Sequence, residues 1–183
     1  MGCYGLGLSR ILAGSVEYLS SKLSENIEIR KARQEQNDDS QELTIRNNII
    51  LLRWPKLIVP FKICIILPKK DSKEDRSKGT EFSLHLADVI NSRYGEDILI
   101  DDRSNLTIGK RLLTAKAIGI PFIIVAGRNI IDNIPKFEVF HTFQCDRQES
   151  FQEKYLPSDN GMLLTQLELL NFLNNSLQPY KLM

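Results

Sequence analysis

Asp101, Asp102 and Arg103 stand together at the end of the apolar run Ile98-Leu99-Ile100. Acids beside an arginine can read nucleobase edges. An arginine fork takes the O6 and N7 acceptors of guanine, and a carboxylate accepts from amino or imino donors. Unstacked nucleotides of an RNA loop expose those edges. The same three residues also make an ordinary strand-end turn with a local ion pair, and spacing alone leaves both readings open. A second group is GCYGLGLSR, Gly2 to Arg10. Gly5 and Gly7 begin a dinucleotide fingerprint, but Arg10 occupies the place of its third glycine and no strand precedes it, so that reading fails. Glycines still let a backbone approach a base or ribose closely. Arg10, entering a first helical turn, can pair with a phosphate in fork geometry. A Gly-rich turn before a core helix accounts for the same residues. The third group is the pair His85 and His141, which has no nucleophile motif and no partner at metal-ligand spacing. Neither histidine is assigned a catalytic or metal role.

The elements that must position these groups follow from periodicity. Ile98–Ile100 reads as a strand, and Ile108, Leu112 and Ala115 recur at helical spacing up to Gly119, where a helix would stop. Phe122 to Ala126 is a second apolar run. Two such strands joined by a helix form a βαβ crossover, which implies parallel strands covered on both faces. Ligands of open parallel sheets bind at the carboxyl ends of the strands, where Asp101, Asp102 and Arg103 lie. Upstream, FKICIIL (residues 61–67) is a strand, PKKDSKEDRSKG a charged turn, and Phe82, Leu86, Val89 and Ile90 one face of a helix ending near Gly95. Downstream, Phe137, Val139 and Phe140 mark a strand. Leu163, Leu164, Leu167 and Leu170 mark a last helix, with Asp159 or Asn160 as its cap. The order from residue 61 is β-α-β-α-β-β-α, with a possible further strand at 150–156. Ahead of this unit, Leu8, Leu12, Val16 and Leu19 make an apolar helical stripe. Residues 25–48 are polar and mixed in charge, and RWPKLIVP is an extended connector because of Pro55 and Pro60.

Composition narrows the class. Lys and Arg number 24 against 23 Asp and Glu, a net charge of +1, so no global field draws the chain onto nucleic acid. From residue 101 to 128, however, Arg103, Lys110, Arg111, Lys116 and Arg128 outnumber Asp101 and Asp102. This local excess fits either a phosphate-facing patch or a solvated helix face. Cys3, Cys64 and Cys145 are too few and too scattered for zinc or a disulfide framework. Cys64 reads as a small buried hydrophobe, and a reducing compartment fits. No run reaches the ~18 apolar residues of a membrane span. Met1-Gly2-Cys3 begins a myristoylation signal, but Leu6 stands where that signal has Ser or Thr. No leader is recognisable, which reads either as a cytosolic protein or as part of a longer chain.

Taken together, the motifs resemble the C-terminal part of a class II prolyl-tRNA synthetase of the mitochondrial type. MGCYGLGLSR resembles motif 3 in its prolyl form. RWPKLIVPF resembles the connector before the anticodon-binding domain, and DDRSNLTIGKRLLTAKAIGIPFIIVAG resembles that domain's central signature. The resemblance implies an α/β fold: an anticodon-binding domain with a five-stranded mixed sheet flanked by helices, preceded by a remnant of the catalytic domain. It divides the chain into 1–24 (motif 3 remnant), 25–58 (polar insert and connector) and 59–183 (anticodon-binding domain). It implies that Arg10 holds the ATP γ-phosphate with Gly5 and Gly7 beside the adenosine, and that Asp102 and Arg103 face the anticodon. Less closely, it extends to Lys110 and Arg111 as contacts for the RNA backbone. The implied activity of the parent enzyme is proline–tRNA ligation with ATP and magnesium, as a homodimer in the mitochondrial matrix, with proline tRNA as partner. Motifs 1 and 2 are not recognisable here, so this chain alone is expected to bind tRNA weakly and not to aminoacylate. The alternative is a non-catalytic nucleic-acid-binding adaptor with the same fold, such as the accessory subunit of a mitochondrial DNA polymerase.

Overall fold

The computed structural model describes residues 7–20, 52–55, 58–95, 98–142 and 161–177. Five strands, β1 (Ile63–Ile66), β2 (Ile98–Asp101), β3 (Phe122–Val125), β4 (Lys136–His141) and β5 (Met162–Thr165), form one sheet in the order β2-β1-β3-β4-β5. β1 runs parallel to both β2 and β3, whereas β4 is antiparallel to β3 and β5 to β4. The mixed five-stranded sheet expected from the resemblance is present. The crossover from β2 to β3 does not join neighbours: it steps over β1, which takes the place between them.

The helices are α1 over residues 8–20, α2 (Lys73–Arg76), α3 (Gly79–Tyr94), α4 (Ile108–Ile118) and α5 (Gln166–Ser176). Alternation along each strand sends side chains to two cores. Ile63, Ile65, Phe122, Ile124, Phe137 and Val139 pack against Leu86 and Ile90 of α3 and Leu169 and Leu173 of α5. Cys64, Ile66, Ile123, Val125 and Phe140 pack on the opposite side with Ala115, Ile108 and Leu112 of α4. β1 and β3 are apolar at every position because both their faces are covered. Each large side chain buried this way contributes about 1.5–3 kcal/mol relative to exposure. Cys64 is 1% exposed, and burial pushes its thiol up to about 12, so it behaves as the small hydrophobe its strand implied.

Two helix ends fall where glycine marked them. Gly95 and Gly119 close α3 and α4 in the left-handed region, at φ 59° and 82°. Gly119 has a second reason to lack a side chain: a Cβ there would meet the Leu52 carbonyl oxygen at 2.2 Å. The connector lies across this end of α4. The Leu52 N–H donates to the Ala117 carbonyl at 2.8 Å, and Trp54 Nε1 donates to the Ile118 carbonyl at 2.8 Å. The open carbonyls of a helix C-terminus are thereby satisfied. Arg53 between them is buried, which lowers its pKa to about 10, and its Nη1 donates to the Leu52 carbonyl at 2.7 Å. Its own N–H donates to Ser20 Oγ at 3.1 Å, tying the end of α1 to the connector.

The last helix differs from expectation. Met162–Thr165 is β5, and α5 starts only at Gln166. Thr165, not Asp159 or Asn160, is the cap. Its Oγ1 accepts from the Glu168 N–H at 3.4 Å, and Glu168 Oε2 accepts from the Thr165 N–H at 2.8 Å, a complete capping box. Leu163 pairs with Glu138 across the sheet and is 49% exposed, and Leu167 is 69% exposed. The buried helix face is Leu169, Leu170 and Leu173. A leucine-rich run satisfies both periods at once, and only pairing with β4 selects the strand. The charged turn after β1 contains the one-turn helix α2, capped by Ser72. Residues 25–48 and the possible strand at 150–156 lie outside the described residues.

Candidate nucleic-acid interface

The loop from β2 to α4 is built around Asp101. This residue ends β2 with its side chain turned inward, 6% exposed, while Asp102 and Arg103 are exposed. The Asp101 carboxylate takes hold of Arg103 along one edge. Arg103 Nε donates to Oδ1 at 3.0 Å and Nη2 to Oδ2 at 2.8 Å, and the Arg103 N–H adds a bond to Oδ1 at 3.1 Å. Hydrogen bonding from Arg103, opposed by burial, holds the Asp101 carboxyl below its ordinary range, and the same contact raises the Arg103 guanidinium. The clamp uses the Nε–Nη2 edge. Nη1 and the second hydrogen of Nη2 have no partner among the described residues. That remaining edge is a two-pronged donor of the kind that matches guanine O6 and N7.

Behind the loop, the Asp101 carbonyl accepts two hydrogen bonds, from the Leu67 N–H at 3.1 Å and from Arg111 Nη1 at 3.1 Å. Ahead of it, the Leu106 N–H donates to the Arg103 carbonyl at 3.1 Å, closing a turn, and Thr107 caps α4 by accepting from the Lys110 N–H at 3.3 Å. Lys110 and Arg111 therefore separate. Lys110 is exposed at the first turn of α4. Arg111 has no exposed surface at all, so it cannot contact an RNA backbone as the resemblance had implied. Burial lowers its pKa, with the Asp101 charge opposing that shift.

Beside this loop, an open cleft of about 360 Å³ sits at the carboxyl ends of β1 and β3. Lys69, Ser72, Glu74, Arg128, Asn129 and Glu138 supply its polar side chains, over a floor that includes Val125 and the first residue of α4, Ile108. Glu138 is a residue that the motif reading missed. It was legible as the acid between Phe137 and Val139: alternation places it on the α4 side of β4, opposite its apolar neighbours.

Other candidates lie apart. Arg10 is exposed in the first turn of α1, its N–H bonded to the Gly7 carbonyl at 3.0 Å. Gly7 is exposed beside the Arg10 stem, and Gly5 lies outside the described residues. No hydrogen bond or ion pair among the described residues joins Arg10 to the β2–α4 loop. His85 is exposed on α3, whereas His141 stacks on Phe122 with ring centroids 4.7 Å apart. Among the described residues, no group of three or more His, Cys, Asp or Glu is placed to hold a metal, and no helix is long and apolar enough to cross a membrane.

Residues 63–154 match the family model described as "Anticodon binding domain". This chain belongs to the anticodon-binding domain family. The chain is 36% identical over 171 residues to human "Probable proline--tRNA ligase, mitochondrial", covering 92% of this chain and 29% of the relative. The mouse protein of that name is 36% identical over 143 residues, 76% of this chain and 24% of the relative. "Proline--tRNA ligase" of Staphylococcus haemolyticus is 33% identical over 148 residues, 80% and 20% respectively. The chain thus spans less than a third of the length of these relatives. Among solved structures, Giardia lamblia prolyl-tRNA synthetase in complex with prolyl-adenylate superposes with a TM-score of 0.50 at 22% identity, over 65% of this chain and 22% of that one, and shares the fold. The relatives that this chain resembles over most of its length are named proline–tRNA ligases, and the adaptor reading is not favoured.

Proposed function

We propose that this chain is the tRNA-reading part of a proline–tRNA ligase and that Arg103 reads a guanine of the proline anticodon. The observation that carries this reading is the edge-on clamp. Asp101 fixes the Arg103 guanidinium through Nε and Nη2 and leaves the Nη1 and second Nη2 hydrogens for another partner, on a side chain that is 48% exposed. A donor pair oriented before binding loses little rotamer freedom when the base arrives. Asp102, exposed next to it, is placed to accept from an amino or imino N–H. Glu138 in the adjoining cleft offers the same chemistry, and Lys110, Lys69 and Arg128 suit phosphates. The names of the relatives support proline as the amino acid and the mitochondrion as the compartment.

Residues 1–24 we assign to motif 3, 25–58 to insert and connector, and 59–183 to the anticodon-binding domain. Arg10 would hold the ATP γ-phosphate, with Gly5 and Gly7 beside the adenosine. Its guanidinium is exposed and has no described partner, which suits one phosphate. ATP with its magnesium would supply the adenylyl group that activates proline, with pyrophosphate leaving, when bound to the whole enzyme, which we take to be a homodimer. Activation requires charge neutralised on both sides of the transferred group, and a single arginine meets half of that need. This chain alone is therefore expected to bind RNA and to form no prolyl-adenylate in a pyrophosphate-exchange assay.

The deciding experiment is binding to a proline anticodon stem-loop against a stem-loop with both anticodon guanines replaced. Arg103→Ala is expected to weaken the cognate complex by ~1–3 kcal/mol, roughly 5- to 150-fold, and to spare the control. Arg103→Lys keeps the charge but loses the fork, so it is not expected to restore preference. Equal loss on both RNAs would make Arg103 a phosphate contact and remove the base-reading assignment.

A further inference from the structure

Arg111 is the largest fully buried side chain of the described structure, and it carries a charge. Removing a guanidinium from water is costly unless its donors are matched. Here the matching is partial. Nη1 donates to the Asp101 main-chain carbonyl at 3.1 Å, while Nε and Nη2 have no partner among the described residues. No carboxylate forms a direct ion pair with it in that set. An apolar side chain of similar volume would fill this space between α4 and the sheet without that cost. What Arg111 does that an apolar residue cannot do is hold the Asp101 peptide.

That peptide has an unusual position in the network. Its carbonyl is pinned from the interior by Arg111 and by Leu67, the residue after β1, and the Asp101 side-chain carboxylate clamps Arg103 at the surface. A continuous path therefore runs from inside α4, through a single residue, to the exposed donor edge. We propose that Arg111 is a positioning residue for the anticodon-reading loop: by fixing the Asp101 peptide from within, it sets the angle at which Arg103 is presented. This rests on the reading of Arg103 as the base-contacting group.

The test uses the full 183-residue chain with Arg111→Met, Arg103→Ala and the double variant. The first readout needs no RNA: the Nε–H resonance of Arg103 and its exchange with water. In the unaltered chain this proton is expected to be protected by Asp101. In Arg111→Met it is expected to lose protection while the amide signals of β1 and β3 keep their positions. The second readout is affinity for the proline stem-loop and for the guanine-replaced control. Arg111→Met is expected to weaken cognate binding about fivefold or more while leaving the control within about twofold. Added to Arg103→Ala it is expected to cost nothing further, because residues acting in series are not additive. If Arg111→Met does not fold, Arg111→Gln keeps a polar head too short to reach the Asp101 carbonyl and carries the same expectations. A protected Arg103 Nε–H in a folded Arg111 variant, or additive losses in the double variant, overturns the positioning role. An unaltered chain without preference for the proline stem-loop overturns the base-reading assignment instead, and only the RNA readout reports that failure.

Discussion

Asp101 carries more of this molecule than its exposed neighbours do. Its carboxyl is held below the usual range chiefly by the Arg103 hydrogen bonds, so the ionised form is favoured in the folded state. The sign follows. The clamp contributes stability above the unfolded pKa of about 3.9, and that contribution is lost as pH falls through this value toward the folded pKa. Glu74, Asp75 and Glu168 are shifted the same way by their own hydrogen bonds, so the whole fold should weaken in acid. Urea midpoints between pH 3 and 7 are expected to fall toward acid in the unaltered chain. In Asp101→Asn they should start lower and fall less, because the titrating group is gone. The group Asp101, Asp102 and Arg103 stood out in the sequence because acids and an arginine ending an apolar run are conspicuous, but spacing did not say that Asp101 is the acid that holds Arg103. Arg111 was misread for a physical reason. Counting charge along α4 sends every arginine to solvent, and nothing in that spacing records that the Asp101 carbonyl waits underneath.

Among the elements, α4 joins two ends of the domain. Its N-terminus follows the β2–α4 loop and its C-terminus receives the connector. The glycines closing α3 and α4 separate backbone strain from crowding. Gly95→Ala meets nothing within 4 Å, so only its left-handed backbone matters, at ~1–2 kcal/mol. Gly119→Ala suffers the same strain and also strikes the Leu52 carbonyl. It is expected to lower the thermal midpoint further than Gly95→Ala, and to quench or shift Trp54 fluorescence as the connector lifts. The helix stops were readable because glycine is cheap in a left-handed turn and other residues are not. β5 was not readable. Four residues of Met162–Thr165 become a strand by pairing with β4, a partner that local periodicity does not contain.

Over the whole molecule, a net charge of +1 leaves RNA binding to local groups, so single lysines should count. Lys110→Ala is expected to weaken the cognate and control stem-loops alike and to reduce the salt slope by about 0.7–1, since each phosphate contact releases part of a counterion. Parallel strands, crossover and two covered faces were foreseeable from apolar runs. The strand order was not, because periodicity says which residues are buried and not which strand lies beside which. That order has a consequence in time. β1 is an interior strand, flanked on both sides, yet both of its neighbours come later in the chain: Ile63 pairs with Ile98 and with Phe122, the latter about 60 residues on. At a synthesis rate of ~5–20 residues per second, β1 emerges roughly 3–12 s before β3 exists to flank it. For that interval a segment greasy on both sides is solvent-facing on the ribosome, a standing invitation to chaperones and to neighbouring nascent chains.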